Sequence, residues 1–233
     1  MVTEMKGSRM SGLSDDRSPK AIERQKIVWI ERGLSKPDAE AKKRTPRFVT
    51  RGEWGAEEPV RESTEFFPQN GGIAIHHEGG GHKMRGHHSL FDWPNLPNFA
   101  DNCYTQVLQI QHKHMHPLPW IGGERYWDIA YNYLVCHHGY TFVGRGIGIQ
   151  PGANGTHWAN VNLYAICGLI GADDEPTSEM LDEIETVCDW VRDNDDAGAN
   201  LPGRKVVGHK DLIPGKTDCP GNLYPYVENG RFE

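Results

Sequence analysis

Three short runs in this chain are apolar at consecutive positions: GGIAIHH (71–77), LYAICGLIG (163–171) and the VV of KVVGH (205–209). Runs this short read as strands, and apolarity at successive positions means that both faces of each strand are covered. The helical patterns between them predict what covers them. DNCYTQVLQIQHKHM (101–115) has Val107, Leu108, Ile110 and Met115 at helical spacing and stops before Pro117. PTSEMLDEIETVCDWVRDND (176–195) places Met180, Ile184, Val187, Cys188 and Val191 on one face, with Thr177 or Ser178 as its cap and an acidic first turn. DIAYNYLVC (128–136) reads as a further strand and forms a hairpin with the segment that follows the Gly-bearing turn of HHGYTFVGRG (137–146). The order strand, helix, hairpin, strand, helix, strand predicts an α/β fold: a single layered domain with a central mixed β-sheet flanked by helices.

The 233 residues suffice for one such domain plus a small attachment, and we place the boundary at 46/47. Residues 1–46 carry 11 Lys/Arg against 7 Asp/Glu and read as a basic leader, partly helical or disordered, ahead of a domain over 47–233. The formal net charge of -7 argues against nucleic acid as a partner. No apolar stretch reaches membrane-spanning length, and no apolar run follows the N-terminal basic residues as in a secretory signal. The chain is therefore expected to be made in a cytoplasm, as a monomer. Five cysteines at 103, 136, 167, 188 and 219 do not suggest a disulfide framework. Cys136, Cys167 and Cys188 fall inside apolar patterns, whereas Cys219 lies in the polar loop GHKDLIPGKTDCPG (208–221) and needs another explanation.

That loop suggests metal chemistry. A hydrolytic zinc site uses three protein ligands and leaves a position open, and imidazole and thiolate suit the ion. His76 or His77 ends the first apolar run, His209 ends the last, and Cys219 follows the Pro214–Gly215 bend. If the two strands are neighbours, the imidazoles converge and the loop returns the thiol to them. HKHMH (112–116) is the obvious rival, since His112 and His116 share a helix face. The adjoining sequence supplies no carboxylate or thiol to complete that set, so it ranks lower, as do GHKMRGHH (81–88) and CHH (136–138). Arg145 is expected to anchor a turn and Trp54 to pack at the domain edge.

Seven blocks, in order, carry a resemblance: TRGEWGAEEP, IAIHHEGG, IQHKHM, WDIAYNYLVCHHGYTFVGRG, GTHWANVN, EPTSEMLDEIETVCDW and VVGHKDLIPGKTDCPG. Over about Arg47 to Val227 the chain resembles the zinc-dependent N-acetylmuramoyl-L-alanine amidases, which share their fold with peptidoglycan recognition proteins and amidase-type phage lysozymes. The resemblance implies Zn²⁺ on His76, His209 and Cys219, and a role for Tyr131 in stabilising the reacting centre. It puts Thr217 where some relatives have lysine, with Lys216 beside it as a partial stand-in. It also makes His77, His114, His157 and Asn162 candidate contacts to peptidoglycan. The implied reaction is hydrolysis of the amide between N-acetylmuramic acid and L-alanine by zinc-activated water, in the setting of phage-mediated host lysis. The implied place of action is the cell wall, after release.

The chain departs from the pattern in a long 79–100 insertion, a long 116–127 connection and Glu78, which stands where relatives have Ser or Thr. The proton donor to the leaving amine stays open among Tyr131, Thr217 with a water, and Glu78. The rival functions are a recognition module that binds peptidoglycan without cutting it and a cytosolic amidase of soluble muropeptides.

Overall fold

The computed structural model describes residues 44–65, 72–79, 101–117, 125–193 and 205–233. Most of the leader, of the 79–100 insertion and of the 116–127 connection lies outside these residues. The described residues belong, from Thr45 on, to one compact unit that ends at Glu233. Among them no helix is long and apolar enough to cross a membrane.

The elements are β1 (Phe48–Val49), α1 (Arg51–Trp54), β2 (Gly72–His77), α2 (Asp101–Met115), β3 (Tyr133–Val135), β4 (Thr141–Val143), α3 (His157–Asn160), β5 (Leu163–Gly168), α4 (Ser178–Arg192), β6 (Val206–Gly208), α5 (His209–Leu212) and α6 (Tyr224–Glu228). The strands form one sheet in the order β1-β4-β3-β5-β2-β6. Among these named strands only the β3–β4 hairpin is antiparallel; the other neighbours are parallel. The mixed α/β sheet expected from the sequence is present. So is the juxtaposition on which the metal reading depended, because β2 pairs directly with β6.

Strand alternation sorts the core into two faces. Ile73, Ile75, Tyr133, Val135, Tyr164 and Ile166 pack with Met180, Ile184, Val187, Cys188 and Val191 of α4. Leu134, Cys136, Phe142 and Cys167 point the other way, onto Cys103, Val107 and Ile110 of α2. Each large aliphatic side chain so buried contributes about 1.5–3 kcal/mol. α4 starts at Thr177, whose hydroxyl oxygen accepts the Met180 N–H.

Two expectations are corrected. DIAYNYLVC is not a strand throughout: only Tyr133–Val135 joins the sheet. Side chains there take over the work of the ladder. Asn132 Oδ1 accepts the Ala165 N–H while its Nδ2 donates to the Gly146 and Ile149 carbonyls. Asp128 Oδ1 accepts from its neighbour Ile129 N–H and from Gln111 Nε2. Trp54 is not at an edge: it is 1% exposed in the α2-side core, with its indole N–H donating to the Val143 carbonyl. It is held there by α1, a single turn whose Thr50 and Glu53 form a reciprocal capping box. Arg145 does anchor turns, donating to the Ile129 and Gln150 carbonyls.

Candidate metal centre

Sheet register decides between the two histidines that end β2. His76 pairs with Cys167, which faces α2, so its imidazole lies on that side, one position out of phase with Ile75. The ring of His76 sits 4.5 Å from that of His209 and 5.4 Å from that of Tyr131, between centroids. Its Nδ1 is 3.8 Å from Cys219 Sγ. One donor atom each from His76, His209 and Cys219 lies within 4.8 Å of the others.

Asn154 fixes which nitrogen His76 offers. The Asn154 amide donates to the Ala159 and Leu163 carbonyls, so its Oδ1 is left as an acceptor, 2.9 Å from His76 Nε2. His76 Nε2 therefore carries the proton and Nδ1 presents a lone pair towards Cys219. Burial, then the neighbouring His209, holds His76 down to a pKa of about 3, so the ring is neutral.

The loop between His209 and Cys219 is folded back by its own bonds. His209 opens α5, and Asp211 accepts the Gly208 N–H at the start of that turn. Gly215 takes the bend with φ +74°, a conformation that a side chain would strain. The Lys210 N–H then donates to the Cys219 carbonyl at 2.8 Å, which ties the two ends together. Cys219 comes from a polar stretch, yet it is buried. The His77 N–H donates to its sulfur at 3.3 Å, so the His-His pair contributes an imidazole from one residue and a main-chain donor from the next. Burial pushes the Cys219 thiol up to about 11.

These groups fit zinc. The set is two neutral imidazoles and a thiol, the ligand chemistry of this borderline-soft ion. His209 Nε2 is buried without a hydrogen-bond partner. Zinc–ligand bonds of about 2.05 and 2.3 Å in tetrahedral array separate nitrogen from sulfur by roughly 3.6 Å. The His76 Nδ1 to Cys219 Sγ distance is close to that.

A cleft of about 560 Å³ opens over the triad, with His77, Glu78, His114, Tyr131 and Thr217 on its walls. Tyr131 projects from the loop before β3 and is half-buried at the cleft wall. Burial, then the neighbouring Cys167, raises its pKa well above the ordinary phenol value, so it keeps its proton. His114 accepts the Ala130 N–H on Nδ1 and is held neutral, near 4, by burial and then by Arg145. Glu78 is 3.5 Å from Lys113 Nζ. Thr217 Oγ1 accepts the Cys219 N–H at 3.1 Å, which leaves its own proton free to point into the cleft.

Three sequence candidates lie elsewhere. Lys216 is exposed on a separate groove with Lys210 and Asp211. His157 lines an adjoining pocket of about 400 Å³ with Arg61, Arg125 and Arg145. Asn162 turns its amide to the Trp158 carbonyl and lines neither cavity. Asn154 was missed, since it stands just before the block GTHWANVN that holds His157; only its contact across 78 positions to His76 reveals it.

No protein-family model matches the chain. In sequence it is similar to peptidoglycan-recognition protein SC2 of Drosophila simulans, 26% identical over 175 residues, or 75% of this chain and 80% of that one. In structure it is similar to Drosophila peptidoglycan recognition protein SD, with a TM-score of 0.60 and 21% identity, covering 80% of this chain and 94% of the other. It is also similar to human PGRP-IβC, solved in complex with glycosamyl muramyl pentapeptide, with a TM-score of 0.55, 23% identity and coverage of 77% and 92%. The fold is that of the peptidoglycan recognition proteins.

Proposed function

We propose that the protein is a zinc-dependent amidase of peptidoglycan, hydrolysing the bond between N-acetylmuramic acid and the L-alanine of the stem peptide. The observation that carries this reading is the convergence of His76, His209 and Cys219 on the floor of a cleft beside a protonated tyrosine. A module that only binds wall fragments has no need of that set. The complex of human PGRP-IβC with glycosamyl muramyl pentapeptide supports the substrate class.

His76, His209 and Cys219 would hold the ion, and zinc held there would supply a Lewis acid and an activated water to attack the carbonyl carbon. The chain's own residues do the rest. Asn154 keeps the His76 lone pair on Nδ1, and the His77 N–H steadies the sulfur. Tyr131 donates a hydrogen bond to the lactyl carbonyl oxygen as negative charge grows on it. The departing L-alanine amine takes its proton from the wall of the cleft, where Thr217 and Glu78 stand. His77 and His114 flank the stem peptide, and His157 with the arginines of the adjoining pocket receives the parts of the polymer further out. Cutting this amide strips stem peptides from the glycan and so weakens the wall, which gives the protein a lytic role.

The test is incubation of purified sacculi with zinc-loaded protein. New L-alanine N-termini without new reducing sugar ends are expected. Sacculi bound but chemically unchanged would mean a recognition module instead. The same preparation tests the Asn154 contact. Asn154→Ala frees His76 to rotate and change tautomer, so zinc affinity should fall by about 10–100-fold, as read by competition with a chromophoric chelator. Unchanged affinity would remove Asn154 from the centre.

A further inference from the structure

α2 presents histidines on two sides. His114 lines the cleft, whereas His112 and His116, each two positions away along the helix, project on the opposite side, with ring centroids 4.8 Å apart. The sequence around them supplies no third ligand. The fold does: Glu57, from the segment after α1, lays its carboxylate across both rings. His116 Nε2 is 2.8 Å from Glu57 Oε2, and His112 Nδ1 is 3.5 Å from Oε1. One donor atom from each residue lies within 4.8 Å of the other two.

The carboxylate is held in place by the main chain beneath it. The Glu57 N–H donates to Gln111 Oε1 at 2.8 Å, and the Glu57 carbonyl accepts from Gln111 Nε2 at 3.0 Å and from Arg51 Nη2 at 2.8 Å. Gln111 is fully buried and immediately precedes His112 on the same helix. The backbone that carries the carboxylate is therefore clamped to the helix that carries the imidazoles. A plain ion pair uses one imidazole. Here both oxygens of one carboxylate each face a ring nitrogen. An ion about 2.1 Å from each donor separates neighbouring donors by roughly 3.0–3.4 Å, and the two nitrogen–oxygen separations, one to each carboxylate oxygen, lie close to that span. The three side chains are exposed, which leaves an entry path and free coordination positions.

We propose that His112, His116 and Glu57 form a second site for a divalent first-row transition ion such as Zn²⁺, Co²⁺ or Ni²⁺. It is separate from the cleft and clips the C-terminal turn of α2 to the segment after α1. Two imidazoles with one carboxylate and open positions suit these ions, and the hard cations Mg²⁺ and Ca²⁺, which prefer all-oxygen sets, bind poorly there. The site does not depend on the amidase reading.

The test is metal titration of the full chain in three forms: wild type, Cys219→Ser, and Cys219→Ser with His112→Ala and His116→Ala. Cys219→Ser should still bind one equivalent of Co²⁺, with visible ligand-field bands and no sulfur-to-cobalt charge transfer, and its thermal midpoint should rise on binding. The triple variant should lose that equivalent. Equal stoichiometry in the last two forms overturns the proposal. If Cys219→Ser fails to fold, wild type and His112→Ala/His116→Ala are compared directly. One equivalent fewer in the double variant supports the site, and no difference overturns it. Failure at the Cys219 centre would instead appear as loss of the charge-transfer band in wild type, so the two readings fail separately.

Discussion

Cys219→Ser is expected to abolish zinc binding at the cleft and, with it, release of L-alanine N-termini from sacculi. Serine preserves the size of the side chain and can still accept the His77 N–H, so the β2–Cys219 contact survives. What is lost is the thiolate. A hydroxyl gives up its proton far less readily and is a harder donor, which leaves two imidazoles for an ion that needs three ligands to stay in a catalytic site. Zinc contributes several kcal/mol of charge stabilisation in such hydrolyses. At about 1.4 kcal/mol per decade, its loss costs on the order of 10³-fold or more in rate. The measurements are bound zinc by elemental analysis and amine release from sacculi, alongside far-UV circular dichroism to establish that the variant is folded. A folded variant that holds one equivalent of zinc fewer than wild type and still cuts at the wild-type rate overturns the mechanism. A variant that keeps the full wild-type complement of zinc shifts the ligand set away from Cys219, whereas one retained equivalent is what the separate His112, His116 and Glu57 site supplies.

The parts of this centre that lie within one element were legible in the sequence. α2 has the bounds its periodicity predicts, and the buried face of α4 includes all five residues at helical spacing. His76, His209 and Cys219 were legible as types at strand ends and in a loop, but the choice of His76 over His77 is a matter of register. One residue of slip along β2 would put the other imidazole on the α2 side; the resemblance names His76, and the pairing of His76 with Cys167 gives the physical reason. What stayed hidden joins distant segments. Asn154 reaches His76 across 78 positions, and Glu57 reaches His116 across 59. No local pattern encodes such contacts, which is why HKHMH read as a pair without a third ligand. DIAYNYLVC misled for a different reason. Its composition is that of a strand, but Asn132 and Asp128 satisfy main-chain groups with side-chain atoms, an alternative to the ladder that periodicity does not register.

Tyr131→Phe should leave zinc content and fold intact while lowering kcat by about 10²–10³-fold, the loss typical of one well-placed oxyanion donor. The substitution removes one oxygen from a side chain whose ring packs 5.4 Å from that of His76 and 5.7 Å from that of His114, so both contacts persist. The hydroxyl is suited to this role because it stays protonated. Burial, then Cys167, raises its pKa well above the ordinary phenol value, so it donates at every pH at which zinc stays bound and does not compete with the ion as an anion. Two consequences separate this role from a structural one. KM should change little, because the carbonyl becomes a strong acceptor only as charge builds on it. The pH–rate profile of Tyr131→Phe should keep the limbs of the wild type, since the lost group does not titrate in the working range. A drop in zinc content, or a loss confined to KM, would instead make Tyr131 a positioning residue for His76 or for the substrate. Full activity in Tyr131→Phe would assign the oxyanion to the metal alone.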